Sequence, residues 1–242
     1  MAGQVRVGGH TASKAGTLVR AGEQVELIAA PRFVGRGGDK LAAAIDASDV
    51  DVRGRVCLDI GASTGGFTDA LLQAGAAVVI AVDVGYGQLD WRLRQDARVL
   101  VLERTNARYL TADDLPDELD AAPDILVVDV AFIGVGKILP AVGGVCATAC
   151  DALVLVKPQF ECGPERVGTG GVVTDAVARR ESLATVGRAA EELGWSVVGA
   201  IPSPIRGSAG NWECFLQLRR PPVPSEFASL QATLKSIDVP DD

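Results

Sequence analysis

The chain has 242 residues, about one and a half domains at roughly 150 residues each and enough to bury a real core. Hydrophobic residues make up 48% and charged residues 22%, a globular balance that excludes global disorder. The net charge of −8 argues against indiscriminate nucleic-acid binding, although a local basic face can still dominate contact with RNA.

No stretch reaches the ~20 clean apolar residues of a membrane helix. The longest candidates, 76–84 and 125–133, carry Asp83 and Asp129, and the N-terminus has no apolar signal core, so a cytoplasmic protein is expected. The single histidine, His10, rules out zinc sites built on two histidines and disfavours a Ser-His-Asp triad. The five cysteines form no C-x-x-C pair and read as thiols buried as small hydrophobes. No metal is expected.

Residues 1–30 alternate apolar and polar positions around Gly8-Gly9 and Ala21-Gly22, with strands expected at Val5–Val7, Leu18-Val19 and 25–28. This is a small β-rich piece, too short to own a core. Arg6, Lys14, Arg20, Arg32 and Arg36 face only Glu23 and Glu26 here, so the segment through Arg36 carries a net +3. Residues 31–38 (PRFVGRGG) read as a connector.

From Asp39 the pattern becomes strand, loop and helix in repetition. Helical stretches are expected at 40–45, 67–73 and 175–193, the last with Asp175 at its N-terminus as the helix dipole prefers. Near-continuous apolar runs at 55–60, 78–84, 99–102, 124–130 and 152–156 predict buried strands, followed by strands at 195–200 and 212–218. The last two lack an intervening helix and should pair antiparallel at the sheet edge. The fold class is α/β, a doubly wound and mostly parallel sheet. Residues 221–242 are proline-studded and acidic and read as a loosely held tail.

Gly61-Ala62-Ser63-Thr64-Gly65-Gly66 sits between the first apolar strand and its helix, at the first crevice where such sheets bind ligands. The spacing is not G-x-G-x-x-G, and no lysine follows the glycines as in a nucleotide P-loop. Asp59 lies at the end of that strand and Asp83 at the end of the next, about where a ribose diol is held. A glycine loop with two strand-end acids and no phosphate grip suits S-adenosylmethionine. The competing reading is a tight strand-to-helix turn.

Several blocks then carry a resemblance. RGGDKL at 36–41, LDIGASTGGFTDALLQAGA at 58–76, AVDVGYGQLDWRLRQDARV at 81–99 and LERTNARYL at 102–110 are similar to the TlyA family. So are VLVKPQFE at 154–161, GTGGVV at 168–173 and GNWECFL at 210–216, which extends the match, in order, to about residue 219. TlyA proteins are bacterial rRNA cytidine 2′-O-methyltransferases, historically named haemolysins, with an N-terminal S4 RNA-binding domain. The resemblance implies a class I, Rossmann-like methyltransferase domain over 39–220, joined by the linker 31–38 to a partial S4-like segment over 1–30. A family member opens with two S4 helices before the β-rich half, so this segment corresponds to the back half of S4.

The resemblance assigns Lys40, Asp129, Lys157 and Glu213 to a catalytic tetrad with Lys157 as general base. Their pattern makes chemical sense. A ribose hydroxyl needs its proton taken, and a lysine, unlike an arginine, can serve as a neutral base. The competing reading is a set of ordinary ion pairs at a sheet rim. For S-adenosylmethionine the resemblance carries over Asp59, Gly61, Ser63, Thr64, Gly65 and Gly66, with Asp83 on the ribose and Thr105 and Asn106 near adenine. The last two also suit a helix cap or Asx turn.

Arg6, Lys14, Arg20, Arg32 and Arg36 are expected to contact RNA. Arg92, Arg94, Arg98, Arg104 and Arg108 read either as phosphate contacts or as a solvated mixed-charge face. Phe160 reads as a stacking residue or as core. The expected partners are ribosomal RNA and ribosomal subunits, with the chain acting as a monomer away from membranes. A non-catalytic ribosome-assembly factor that keeps the cofactor fold is the main alternative.

Overall fold

The computed structural model describes residues 5–12, 14, 16–27, 31–221, 223 and 229–241. Expectations for Ile28 and for much of 222–228 lie outside them. The chain divides into two compact units, Met1–Arg32 and Phe33–Asp242.

The first unit is a three-stranded antiparallel sheet of β1 (Val5–Val7), β2 (His10–Thr11) and β3 (Val25–Leu27), in the order β2-β1-β3. Gly8 and Gly9 turn the first hairpin at φ +58° and +82°, a backbone that glycine tolerates. The strand expected at Leu18-Val19 is absent: Leu18 is 94% exposed, with no apolar face to pack on. Arg6 lies opposite Glu26, and Lys14, Arg20 and Arg32 are exposed.

The second unit begins inside the expected connector. Phe33 is buried, and a Cβ on Gly38 would fall 2.2 Å from its ring, so only a glycine lets the helix start so close. The Val34 amide donates to Asp69 Oδ2 at 2.9 Å. There follow α1 (Gly37–Ala47), β4 (Val56–Ile60), α2 (Gly66–Gln73), β5 (Val78–Val82), α3 (Trp91–Arg94) and β6 (Val99–Leu102). Then come β7 (Ile125–Val128), α4 (Leu139–Gly144), β8 (Cys150–Val156), α5 (Pro158–Glu161), α6 (Ala176–Glu192), β9 (Ser196–Pro202), β10 (Cys214–Arg220) and α7 (Leu230–Ser236).

The seven strands run β6-β5-β4-β7-β8-β10-β9. β10 is antiparallel to both neighbours, with Cys214 opposite Val156 on one side and Pro202 on the other. The expected antiparallel pair therefore forms, but β10 inserts inward and β9 takes the edge. Alternate strand residues divide between the two faces. Leu58 and Ile60 join Leu139, Val142, Leu183 and Val186 of α4 and α6, whereas Cys57 joins Leu41, Phe67, Leu71 and Phe215 on the α1–α2 face. Four of the five cysteines are buried and Cys162 is half-buried.

The C-terminal segment corrects the loose-tail expectation. Leu230, Ile237 and Val239 are buried. Arg179, fully buried in α6, donates to the carbonyls of Val173 and Pro240, and Arg180 donates to Leu234 O. Gly187 leaves the space that Leu230 fills, since a Cβ there would lie 2.4 Å from Leu230 Cδ1. Ser229 caps α7. Seven helical residues with three apolar anchors, two of them beyond the helix, are too few to show a helical period in sequence.

Candidate active site

Strand order reverses at β4: β5 and β6 lie on one side, β7 and β8 on the other. The crevice beyond the carboxyl ends of β4 and β7 is the ligand position expected of such a sheet. Gly61 leaves β4 at φ +87°, and a Cβ on it would fall 2.3 Å from Asp129 O. Both its backbone conformation and the chain leaving β7 demand glycine there.

Ser63, itself at φ +51°, donates its amide to Asp83 Oδ2 at 2.8 Å, while Asp83 Oδ1 accepts from Gly85 N at 2.6 Å. Asp83 thus clamps the loop after β4 to the loop after β5. Gly65 caps α2 at φ +98° and packs against Leu89 and Leu93. Gly66 lets α1 and α2 approach, since a Cβ there would lie 2.9 Å from Gly38 N.

The resulting cleft has a volume of about 340 Å³ and brings together Gly61, Ser63, Asp83, Thr105, Asn106 and Asp129. A recess of about 130 Å³ shares Gly61, Ser63 and Asp129 with it and adds Thr64, Gly66 and Gly37. Gly65 lines neither and serves packing. Asp59 also lies outside the cleft: it is fully buried, accepting from Thr68 Oγ1 at 2.6 Å, with Oδ1 unpartnered. Burial pushes its carboxyl up to about 7, with the charges of Asp129 and Asp83 adding to the effect and the Thr68 bond opposing it. Asn106 caps the short turn Ala107–Tyr109 through its side chain and still lines the cleft, so the cap and cleft readings of this residue coexist.

Nothing in the sequence pattern marks the apolar walls, Val84, Ala107, Ile133 and Ile138, or Phe132 at the mouth. The available signal is positional: Val84 directly follows Asp83, and Ala107 directly follows Asn106. Phe132 is 92% exposed at φ +65° and packs its ring 5.4 Å from that of Phe160. Phe160 is half-buried and lines a groove beside the cleft.

The four residues expected to form a tetrad make two close pairs. Lys157 Nζ lies 2.5 Å from Asp129 Oδ1, within ion-pair range although not directed as a hydrogen bond. Lys40 Nζ donates to Glu213 Oε2 at 2.5 Å, with Glu213 only 3% exposed. Because Cys214 faces Val156 across the β10–β8 ladder, Glu213 and Lys157 occupy neighbouring strand ends. Gly37, one turn before Lys40, brings α1 within reach of Asp129: a Cβ there would lie 3.9 Å from Oδ2. Of the arginines, Arg92, Arg94 and Arg98 pair with Asp90, Glu103 and Asp96, the mixed-charge face of the sequence. Arg36 is exposed at the start of α1.

Residues 33–220 match the model of the FtsJ-like methyltransferase family. The 16S/23S rRNA (cytidine-2′-O)-methyltransferase TlyA of Mycobacterium tuberculosis is 49% identical over 220 residues, covering 90% of this chain and 81% of that protein. The chain belongs to the TlyA family. Two solved structures agree at 38% identity. A putative hemolysin from Streptococcus thermophilus has a TM-score of 0.78, covering 96% of this chain and 85% of that one. A putative hemolysin from Lactococcus lactis has a TM-score of 0.77, with 85% and 98% covered. Among the described residues no helix is long and apolar enough to cross a membrane. The sheet order of this TlyA-family chain is that of a class I methyltransferase.

Proposed function

We propose that this chain methylates the 2′-hydroxyl of a cytidine in ribosomal RNA, using S-adenosylmethionine and Lys157 as the base. The observation that carries the reading is the Lys157–Asp129 contact at a cleft that Asp129 itself lines. The cleft suits the donor in size, within the ~300–1,000 Å³ of small-molecule sites. Asp83 and Asn106 offer polar groups to a ribose and a base, between the apolar walls Val84, Ala107 and Ile138. The glycine at position 61 keeps its floor open, since a Cβ would collide with Asp129 O. When bound, S-adenosylmethionine supplies a methyl group on a positively charged sulfur, open to in-line attack.

The chain's own residues do the remaining work. Lys157 Nζ takes the 2′-OH proton as the oxygen attacks. Asp129 fixes that Nζ at the cleft. The Lys40–Glu213 pair anchors α1 to the start of β10, beside Lys157, and so positions both pairs. Arginine could hold the same charge at 157 but could not accept the proton.

The three-stranded first unit is read as the back half of an S4-like RNA-binding segment joined to the methyltransferase domain, supported by the exposed Arg6, Lys14, Arg20 and Arg32. Arg36 adds a cation at the start of α1. The enzyme acts as a monomer on ribosomal subunits in the cytoplasm.

The test is transfer of labelled methyl from S-adenosylmethionine to unmodified small and large ribosomal subunits, beside Lys157→Ala. Label in rRNA that drops ~10²–10⁴-fold in the variant, with cofactor binding retained, supports the assignment. Cofactor binding without label in either subunit favours a binding factor that keeps the fold.

A further inference from the structure

The rim of the cleft on the β5–β6 side carries two arginines unlike their neighbours. Arg92, Arg94 and Arg98 are each matched by a carboxylate. Arg104 and Arg108 have no carboxylate partner among the described residues and lie instead over tyrosines. The Arg104 guanidinium sits 4.1 Å from the centre of the Tyr86 ring, and that of Arg108 sits 5.7 Å from the Tyr109 ring. Both tyrosines are more than two-thirds exposed, at 69% and 68%.

This placement is built into the backbone. Arg104 is held at φ +57°, a conformation that a long side chain adopts only when its surroundings impose it. Its amide donates to Gly85 O at 3.0 Å, and the next amide, of Thr105, donates to Asp83 O at 3.0 Å. The same two loops therefore form the wall of the cleft through Asp83 and Thr105 and hold the Tyr86–Arg104 stack outside it. One turn on, Asn106 and Ala107 line the cleft while Arg108 and Tyr109 face solvent.

Flat exposed rings backed by unneutralised guanidinium groups match the chemistry of a single-stranded nucleic acid: bases stack on the rings and phosphates meet the cations. A chain of net charge −8 has to concentrate free cations locally to hold a polyanion. We propose that Tyr86–Arg104 and Arg108–Tyr109 form a docking strip for the unpaired RNA that flanks the methylated nucleotide. The strip rests on the RNA methylation reading above and adds to it the surface that seats the strand.

The experiment measures affinity for protein-free ribosomal RNA, together with KM for RNA, KM for S-adenosylmethionine and kcat, for the full chain. The variants are Tyr86→Ala, Tyr86→Phe, Arg104→Gly and Arg108→Gln. Glycine at 104 accepts the positive φ, so that variant keeps the loop. Arg53→Gln, an exposed ion-paired residue at the opposite end of the strands, is the control. Tyr86→Ala and Arg104→Gly are expected to raise Kd and KM for RNA about tenfold each, with kcat and KM for S-adenosylmethionine within about twofold of wild type. Arg104→Gly should also flatten the salt dependence by about one unit of slope. Tyr86→Phe and Arg53→Gln should match the wild type.

Equal RNA affinity in all variants, with wild-type methylation intact, overturns the strip alone. Absence of methylation by the wild type overturns the underlying reading, and the Kd values still decide the strip. Losses seen on assembled subunits but not on bare RNA overturn it in favour of a ribosomal protein as the partner.

Discussion

A guanidinium stays protonated at any pH the fold survives, whereas an ammonium can release its proton. Lys157→Arg therefore keeps the charge beside Asp129 and removes the base. Methyl transfer should fall by ~10²–10⁴-fold while cofactor affinity measured by calorimetry stays near wild type; a variant with ordinary turnover would show that Lys157 is not the base. Asp59 makes a second residue-level prediction. Its folded carboxyl titrates near 7, against about 4 unfolded. Between those values the folded chain keeps a proton that the unfolded chain has released, so stability falls as pH rises through the window. Asp59→Asn removes this titration, and its melting temperature relative to wild type should climb steadily from about pH 4 to 7. Parallel curves would mean that the buried carboxyl does not titrate there. The sequence places Asp59 at a strand end, which is correct, but strand ends do not reveal which side of the pleat a side chain takes. Asp59 points under the loop, and Val84, Ala107 and Ile138 supply the walls instead.

Elements are legible where their pattern is long. Runs such as DILVVDV and RVCLDI show buried strands because both faces of each strand are covered, and all seven strands of the sheet form where expected. The insertion of β10 between β8 and β9 is invisible to periodicity, because it depends on which neighbour offers the free edge. That insertion is what brings Glu213 to Lys40. The two join α1 to β10 through a pair in which Lys40 and Glu213 are only 10% and 3% exposed. Lys40→Ala leaves a buried carboxylate unpaired, which costs about 3–5 kcal/mol, visible as a lower urea midpoint at unchanged slope. Lys40→Met with Glu213→Leu should recover most of that stability without recovering methylation. A single variant as stable as wild type would show that the carboxylate is solvated.

At the scale of the whole molecule, the two units are legible as a change from alternating to helix-spaced apolar residues, but their boundary falls at Phe33 rather than Asp39. One aromatic between proline and glycine has no period to announce that it docks. The C-terminal segment escapes for the same reason, although it carries part of the core. Ending the chain at residue 228 removes Leu230, Ile237 and Val239 from the α6 face and takes the Pro240 carbonyl from the buried Arg179. At roughly 1.5–3 kcal/mol per buried apolar side chain, the melting temperature should drop on the order of 10 °C; an unchanged value would return the segment to a dispensable tail.

The most direct measurement of the central claim is alkaline hydrolysis of rRNA labelled by the enzyme. Alkali cleaves RNA through the 2′-oxygen, so a methyl group there protects its linkage. Label is predicted in an alkali-resistant dinucleotide whose 5′ residue is cytidine, falling ~10²–10⁴-fold with Lys157→Ala. Label recovered on ordinary mononucleotides would place the methyl on a base and contradict 2′-O transfer by this site.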